Sequence, residues 1–109
     1  MSELLIKKLI NYGLSDKEAR IYLALLELEA ATAFEAARQS GVNRSSAYVV
    51  LESLKKRGLV GVSDDKKVRR YVASSPETIL LSAQTAVRKQ TEIKENIESI
   101  IPELKAAYS

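Results

Sequence analysis

The sequence predicts a mainly α-helical protein with one small β-hairpin and a long final helix, and three observations predict it. Residues 32–71 run in order through a capped helix, a tight turn, a second capped helix and a basic hairpin. From Ser75 onward, apolar residues keep the alternating four- and three-residue spacing of a helix that pairs with another helix. At 109 residues and 46% hydrophobic content the chain supports one modest core and not two independent domains. Together these describe a winged helix-turn-helix over 1–74, followed by a C-terminal coiled-coil dimerisation helix over 75–109.

The elements follow one by one from local signals. Residues 3–12 are apolar on more than one side through Leu4, Leu5, Ile6, Leu9 and Ile10, and Gly13 ends that helix. Ser15 and Glu18 stand three apart, the spacing at which each side chain satisfies the other's free backbone N–H. Behind them Ala19, Tyr22, Leu23 and Leu26 line one face while Ile21, Leu25 and Leu28 line another, so this helix belongs in the centre. Thr32 and Glu35 repeat the capping pattern, and Gly41 closes a supporting helix before the turn Val42-Asn43. Asn43 caps the next helix, which stops at Gly58. A hairpin then runs over 59–63, turns through Asp64, Asp65 and Lys66, and returns over 68–72 with enough Val and Tyr to favour strands.

Ser75 and Pro76 start the last helix, serine as cap and proline at the first helical position. Its stripe is Ile79, Ala83, Ala86, Gln90, Ile93, Ile97, Ile100, Leu104 and Ala107. A helix of about 30 residues is ~45 Å long, more than a small winged-helix core can cover, so pairing with a second copy is expected. Gln90 is the polar member of that seam, either fixing register or simply tolerated. Pro102, on the outer side, should kink or interrupt the last turns.

Composition narrows the function. With no cysteine and no histidine, disulfides, thiolate or imidazole metal sites and a histidine base are excluded. The acids are scattered, and neither a phosphate-cradling glycine loop nor a nucleophile–base pair is visible, so no enzyme, cofactor or metal site is expected. The charged, short apolar stretch at the N-terminus fits neither a signal peptide nor a membrane span, which points to a cytoplasmic protein. Charge is concentrated: residues 43–73 carry eight Lys or Arg against three acids, while the segments on either side are each −1. Such a local excess displaces counterions from phosphates, giving salt-dependent affinity for DNA.

Within the helix that opens at Asn43, Ala47, Val50, Leu51 and Leu54 face inward. Ser45, Ser46, Val49, Glu52, Ser53 and Lys56 face outward, Arg44 leads the first turn and Tyr48 sits on the boundary, where packing is its default role. The N-terminal side chains of a recognition helix meet base edges in the major groove. The planar fork of Arg44 suits a guanine edge or a phosphate, and Val49 suits a thymine methyl, although single exposed apolar residues are common on any surface. On the hairpin, Lys66, Lys67 and Arg69 are placed for a phosphate backbone or a minor groove. Charge there also serves to block edge aggregation. Lys55, Lys56 and Arg57 equally complement the helix dipole.

Several runs in this chain resemble the TrmB-like transcriptional regulators. They are Gly13-Leu14-Ser15 with Glu18-Ala19-Arg20-Ile21-Tyr22-Leu23-Ala24-Leu25-Leu26, then Ser40-Gly41-Val42-Asn43-Arg44-Ser45, then Tyr48 with Leu51-Glu52-Ser53-Leu54 and Gly58-Leu59-Val60, and Tyr71 before Pro76. The resemblance implies a winged-helix regulator with its recognition helix at 44–57, and DNA contact at Arg44 and Ser45 in particular. Two positions depart from it: Ala36 stands where the family has a bulky aliphatic, and Phe34 where it is polar. Many relatives continue into a sugar-binding effector domain, whereas this chain stops at Ser109, so ligand sensing is not carried over and no small-molecule effector site is evident.

The expected function is sequence-specific binding of double-stranded DNA as a homodimeric transcriptional regulator. DNA contacts are expected from Arg44, Ser45, Ser46, Val49, Ser53, Lys56, Lys66, Lys67 and Arg69, and dimer contacts from the stripe between Ile79 and Leu104. The alternative is a winged-helix module for protein–protein interaction that does not touch nucleic acid.

Overall fold

The computed structural model describes residues 2–65 and 67–108. In chain order the elements are α1 (Glu3–Tyr12), α2 (Asp16–Leu28), β1 (Ala30–Ala31), α3 (Ala33–Ser40), α4 (Arg44–Lys56), β2 (Val60–Asp65), β3 (Val68–Ala73) and α5 (Pro76–Tyr108). The helix ends fall where the capping residues put them. Ser15 with Glu18 and Thr32 with Glu35 form complete capping boxes, and Asn43 Oδ1 accepts from the Ser46 N–H at 2.9 Å. Gly41 and Gly58 take φ of +80° and +76° at the ends of α3 and α4, a conformation that strains any side chain carrying a Cβ.

α2 is the centre of the domain and touches α1, α3, α4, β1 and β3. Tyr22, Ile21 and Leu25 on α2 meet Ile6, Leu51, Leu54 and Leu59, all buried. Two tyrosines fasten the core to the start of α5. The Tyr22 hydroxyl donates to the Ser74 carbonyl at 3.1 Å, and the Tyr12 hydroxyl donates to the Ile79 carbonyl at 3.2 Å. Both rings pack on the apolar core while their hydroxyls reach backbone carbonyls at the entry to α5.

The described strands form one antiparallel sheet in the order β1-β3-β2. The sequence pattern does not predict β1. It pairs Ala30 with Val72 and Ala31 with Tyr71, and a two-residue Ala-Ala strand carries no alternation to read. The hairpin is also tighter than expected. Asp64 and Asp65 extend β2, opposite Arg69 and Val68, instead of forming the turn. Strand pairing across the ladder overrides the preference of aspartate for turns.

α5 begins with Pro76 in its first helical position. It is 33 residues long and runs through Pro102 to Tyr108, so the expected interruption does not occur. A proline removes one N–H near the end of a long helix, and the exposed last turns leave the freed Glu98 carbonyl to water. Only the root of α5 meets the core: Ile79 packs against it, and no residue of the helix is buried.

Candidate nucleic-acid interface

α4 is held from beneath and open above. Ala47, Val50, Leu51 and Leu54 are buried, as their spacing requires. On the opposite side Val49 is 70% exposed, a large apolar side chain with no intramolecular use, and Ser45 beside it is exposed too. The Ser45 hydroxyl donates to Asn43 Oδ1 at 3.0 Å, so the cap residue and the first turn act as one unit. Ser46 is half-buried and accepts from Lys17 Nζ at 3.3 Å.

Lys17, in the first turn of α2, therefore lies beside the exposed start of α4. Together with Ser45, Ser46, Val49 and Val50 it lines a shallow depression. Sequence reasoning missed this residue. The signal available was weak: a lysine in a helix's first turn opposes the dipole, which favours acids there.

Ser53 is placed differently from expectation. Its hydroxyl donates to Glu18 Oε2 at 2.8 Å on the side of α4 that faces α2, so it supports the helix from within and does not point outward. Arg57 shares that site. Its Nη1 lies 3.4 Å from Glu18 Oε1 and 3.4 Å from the Gly13 carbonyl, with the guanidinium over the Tyr12 ring at 6.0 Å. Burial acts to raise the Glu18 carboxyl. The Ser15 backbone N–H, the Ser53 hydroxyl and the Arg57 charge outweigh it and hold the group below its ordinary value. Of the three basic residues at the end of α4, Arg57 is thus a structural brace and Lys56 is exposed. Lys55 reaches Glu52 at only 3.9 Å.

The hairpin stands next to α4, and the two enclose a cleft of about 450 Å³ whose walls include Phe34, Arg44, Tyr48, Glu52, Lys67 and Arg69. Arg69 Nη1 is 3.9 Å from Glu52 Oε1 and the guanidinium lies over Tyr71 at 5.6 Å, so this residue faces both the helix and its own strand. Arg70 points to the other side, with Nη1 3.6 Å from Glu35 Oε1. Lys67 is exposed at the tip, while Lys66 lies outside the described residues. The structure thus brings Arg44, Lys67 and Arg69 to one cleft and Ser45, Ser46 and Val49 to the adjoining face. Tyr48, expected to pack inward, is 45% exposed, with the Arg44 guanidinium 6.0 Å from its ring.

The stripe of α5 divides in two. Ile79 and Ala83 are half-buried, and Ile79 belongs to the chain's own core, so it is less open to a partner than the spacing implied. Farther along, Ala86, Gln90, Ile93, Ile97, Ile100 and Leu104 are exposed. Among the described residues no helix is long and apolar enough to cross a membrane, and no group of acids is arranged to hold a metal ion.

A family model described as the sugar-specific transcriptional regulator TrmB matches residues 9–77, from the end of α1 to the start of α5. The chain belongs to the TrmB family of transcriptional regulators. It is 31% identical over 108 residues to the HTH-type sugar-sensing transcriptional regulator TrmBL1 of Pyrococcus furiosus, covering 99% of this chain and 28% of that protein. Among solved structures it resembles TrmBL2, reported as an archaeal chromatin protein with a novel mode of DNA binding. That match has a TM-score of 0.74 and 28% identity, and covers 98% of this chain and 42% of TrmBL2. A MarR family protein from Bacillus stearothermophilus shares the fold, with a TM-score of 0.57 and 18% identity over 94% of this chain and 76% of that one. The chain therefore spans less than half the length of the TrmB relatives it matches. Its family is a regulatory one and not an enzymatic one.

Proposed function

We propose that this chain binds double-stranded DNA sequence-specifically, as the reading part of a homodimeric transcriptional regulator in the cytoplasm. The reader is 1–74 and the dimerisation helix 75–109. One observation carries the reading. The exposed start of α4, with Arg44, Ser45 and a 70% exposed Val49, is flanked on one side by Lys17 and on the other by Lys67 and Arg69 of the hairpin. A surface that offers a donor fork and a methyl-contacting side chain between two cationic flanks matches a major groove between its phosphate strands. Ser46 joins the contact set beside Val49, and Lys56 joins it from the far end of α4. Ser53, turned toward Glu18, supports it from below.

Dimerisation rests on α5, whose exposed isoleucines at 93, 97 and 100 find no cover within the chain. Two copies joined there carry two α4 helices related by a twofold axis, and their operator is an inverted repeat with half-site centres about 34 Å apart, or a multiple of that.

The test is a salt-titrated binding assay on random and selected duplexes. Affinity should fall steeply with salt, and neutralising Lys66 and Lys67 should each lower the log–log slope by about 0.9 with sequence preference nearly intact. Arg44→Ala should remove roughly 1–3 kcal/mol of discrimination on the preferred site. No duplex binding at low salt would leave the protein–protein module as the better account.

A further inference from the structure

Arg44 leads α4, and its guanidinium lies over two exposed rings. The guanidinium carbon is 5.5 Å from the centroid of Phe34, in the first turn of α3, and 6.0 Å from that of Tyr48, one turn farther along α4. Phe34 is 51% exposed, so it contributes little to the core, and its neighbours Ala33, Ala36 and Ala37 do the packing for α3. Among the described residues, the acids near the cleft face other cations: Glu52 lies near Lys55 and Arg69, and Glu35 near Arg70. Among the described residues Arg44 takes no hydrogen bond or ion pair.

The difference between a ring and a carboxylate as a partner is chemical. A carboxylate aligns a guanidinium by accepting from its N–H groups and cancels its charge. A π face attracts the same cation through the ring quadrupole and leaves all five N–H donors and the full charge available in the guanidinium plane. We propose that Phe34, together with Tyr48, is a positioning residue that orients Arg44 for reading a base edge. It lowers the entropy that a long side chain loses on binding while keeping every donor for the DNA. The inference rests on the DNA-binding function proposed above and adds a specificity-determining role for a residue of α3, outside the reading helix.

The experiment uses the full chain and a duplex enriched by the wild-type protein from a random-sequence pool, with the unenriched pool as the reference. Phe34→Leu keeps apolar bulk and removes the π face, and Phe34→Trp keeps it. Phe34→Leu should lower the preference for the enriched duplex roughly 2- to 5-fold, with pool binding and salt slope unchanged. Phe34→Trp should retain the preference. In an Arg44→Ala background Phe34→Leu should do nothing more, because its effect runs through the arginine. In the free protein the Arg44 δ protons should carry an upfield ring-current shift that Phe34→Leu reduces and Phe34→Trp keeps.

An unchanged preference in Phe34→Leu would overturn the proposal, as would an equal loss on both duplexes. So would a loss that adds to that of Arg44→Ala, since Phe34 would then touch DNA itself. If the wild-type chain enriches no sequence, sequence-specific reading fails and the positioning role goes with it. An enriched sequence indifferent to Phe34 removes the positioning role alone.

Discussion

In the reader domain Tyr22, Leu25, Leu51 and Leu54 are at most 1% exposed, whereas along α5 Ile93, Ile97 and Leu104 keep 45%, 49% and 51% of their surface. Both sets of residues are apolar at helical spacing, and the sequence marks them alike. The difference lies in what surrounds them. α2 touches three helices and the sheet, and its residues from Ile21 to Leu25 are all buried within the chain. α5 leaves the domain after Ile79, in a molecule 59 Å along its longest axis and 34 Å and 25 Å across. Helical periodicity says that a stripe will be covered. It does not say by which chain.

The comparison breaks most sharply at the core. Leu54→Ala should lose about 2–5 kcal/mol of unfolding free energy, because the site is enclosed by Leu51, Tyr22 and their neighbours and cannot collapse fully. Denaturant unfolding measures this. Ile97→Ala in the dilute monomer should lose no more than about 0.5 kcal/mol. A loss at Ile97 as large as that at Leu54 would mean that α5 packs on its own domain.

Next in size is the polar brace under α4. Glu18→Gln weakens bonds to the Ser15 N–H, the Ser53 hydroxyl and Arg57, and should lose about 1.5–3 kcal/mol near neutral pH. The folded protein holds Glu18 below its ordinary value of 4.5, so the carboxylate's contribution is complete above that value and is lost as pH falls through the lower folded value. Melting temperature against pH should therefore decline in acid for the wild type and decline less for Glu18→Gln. Part of the slope should persist through Glu35, which the Thr32 backbone N–H and hydroxyl hold low in the same direction.

Smaller again is the cap on α3. Thr32→Ala removes the acceptor for the Glu35 N–H and should lower stability by about 1 kcal/mol, read from the same denaturant curves. Smallest for the domain itself is Ile93→Asp with Ile97→Asp. Two charges on a solvated face should each shift monomer unfolding by about 0.5 kcal/mol or less. The same pair should abolish dimerisation, since it would bury charge in an apolar seam. Sedimentation at micromolar concentration reads this directly, and a wild-type chain that runs as a monomer would refute the coiled-coil assignment.

What the residues determined by themselves is the set of helix boundaries in the domain and the apolar inward face of α4, whereas Leu4, Leu5, Ile10 and Leu26, apolar at helical spacing in α1 and α2, stay exposed. Ser15 with Glu18, Thr32 with Glu35, and Asn43 with Ser46 are pairs three positions apart, and Gly41 and Gly58 act on their own backbone. Interactions that close within one helical turn need no knowledge of the fold. The cationic flank on the hairpin and the exposed start of α4 were legible for the same reason: charge and periodicity are local sums.

Only the tertiary structure decided the rest. β1 exists because Ala30 and Ala31 meet Val72 and Tyr71, far along the chain, and Glu29 takes a φ of +68° between α2 and that strand with no glycine to announce it. Ser53 sits on a polar-looking face, yet Glu18 of another helix turns it into a half-buried support. Arg57 reads as a surface cation until Gly13, Tyr12 and Glu18 gather around it. Phe34 and Arg44 come from two helices, and no spacing predicts that one lies over the other. These contacts depend on how separate elements are brought together, which is fixed by the packing of the whole core and not by any segment of it.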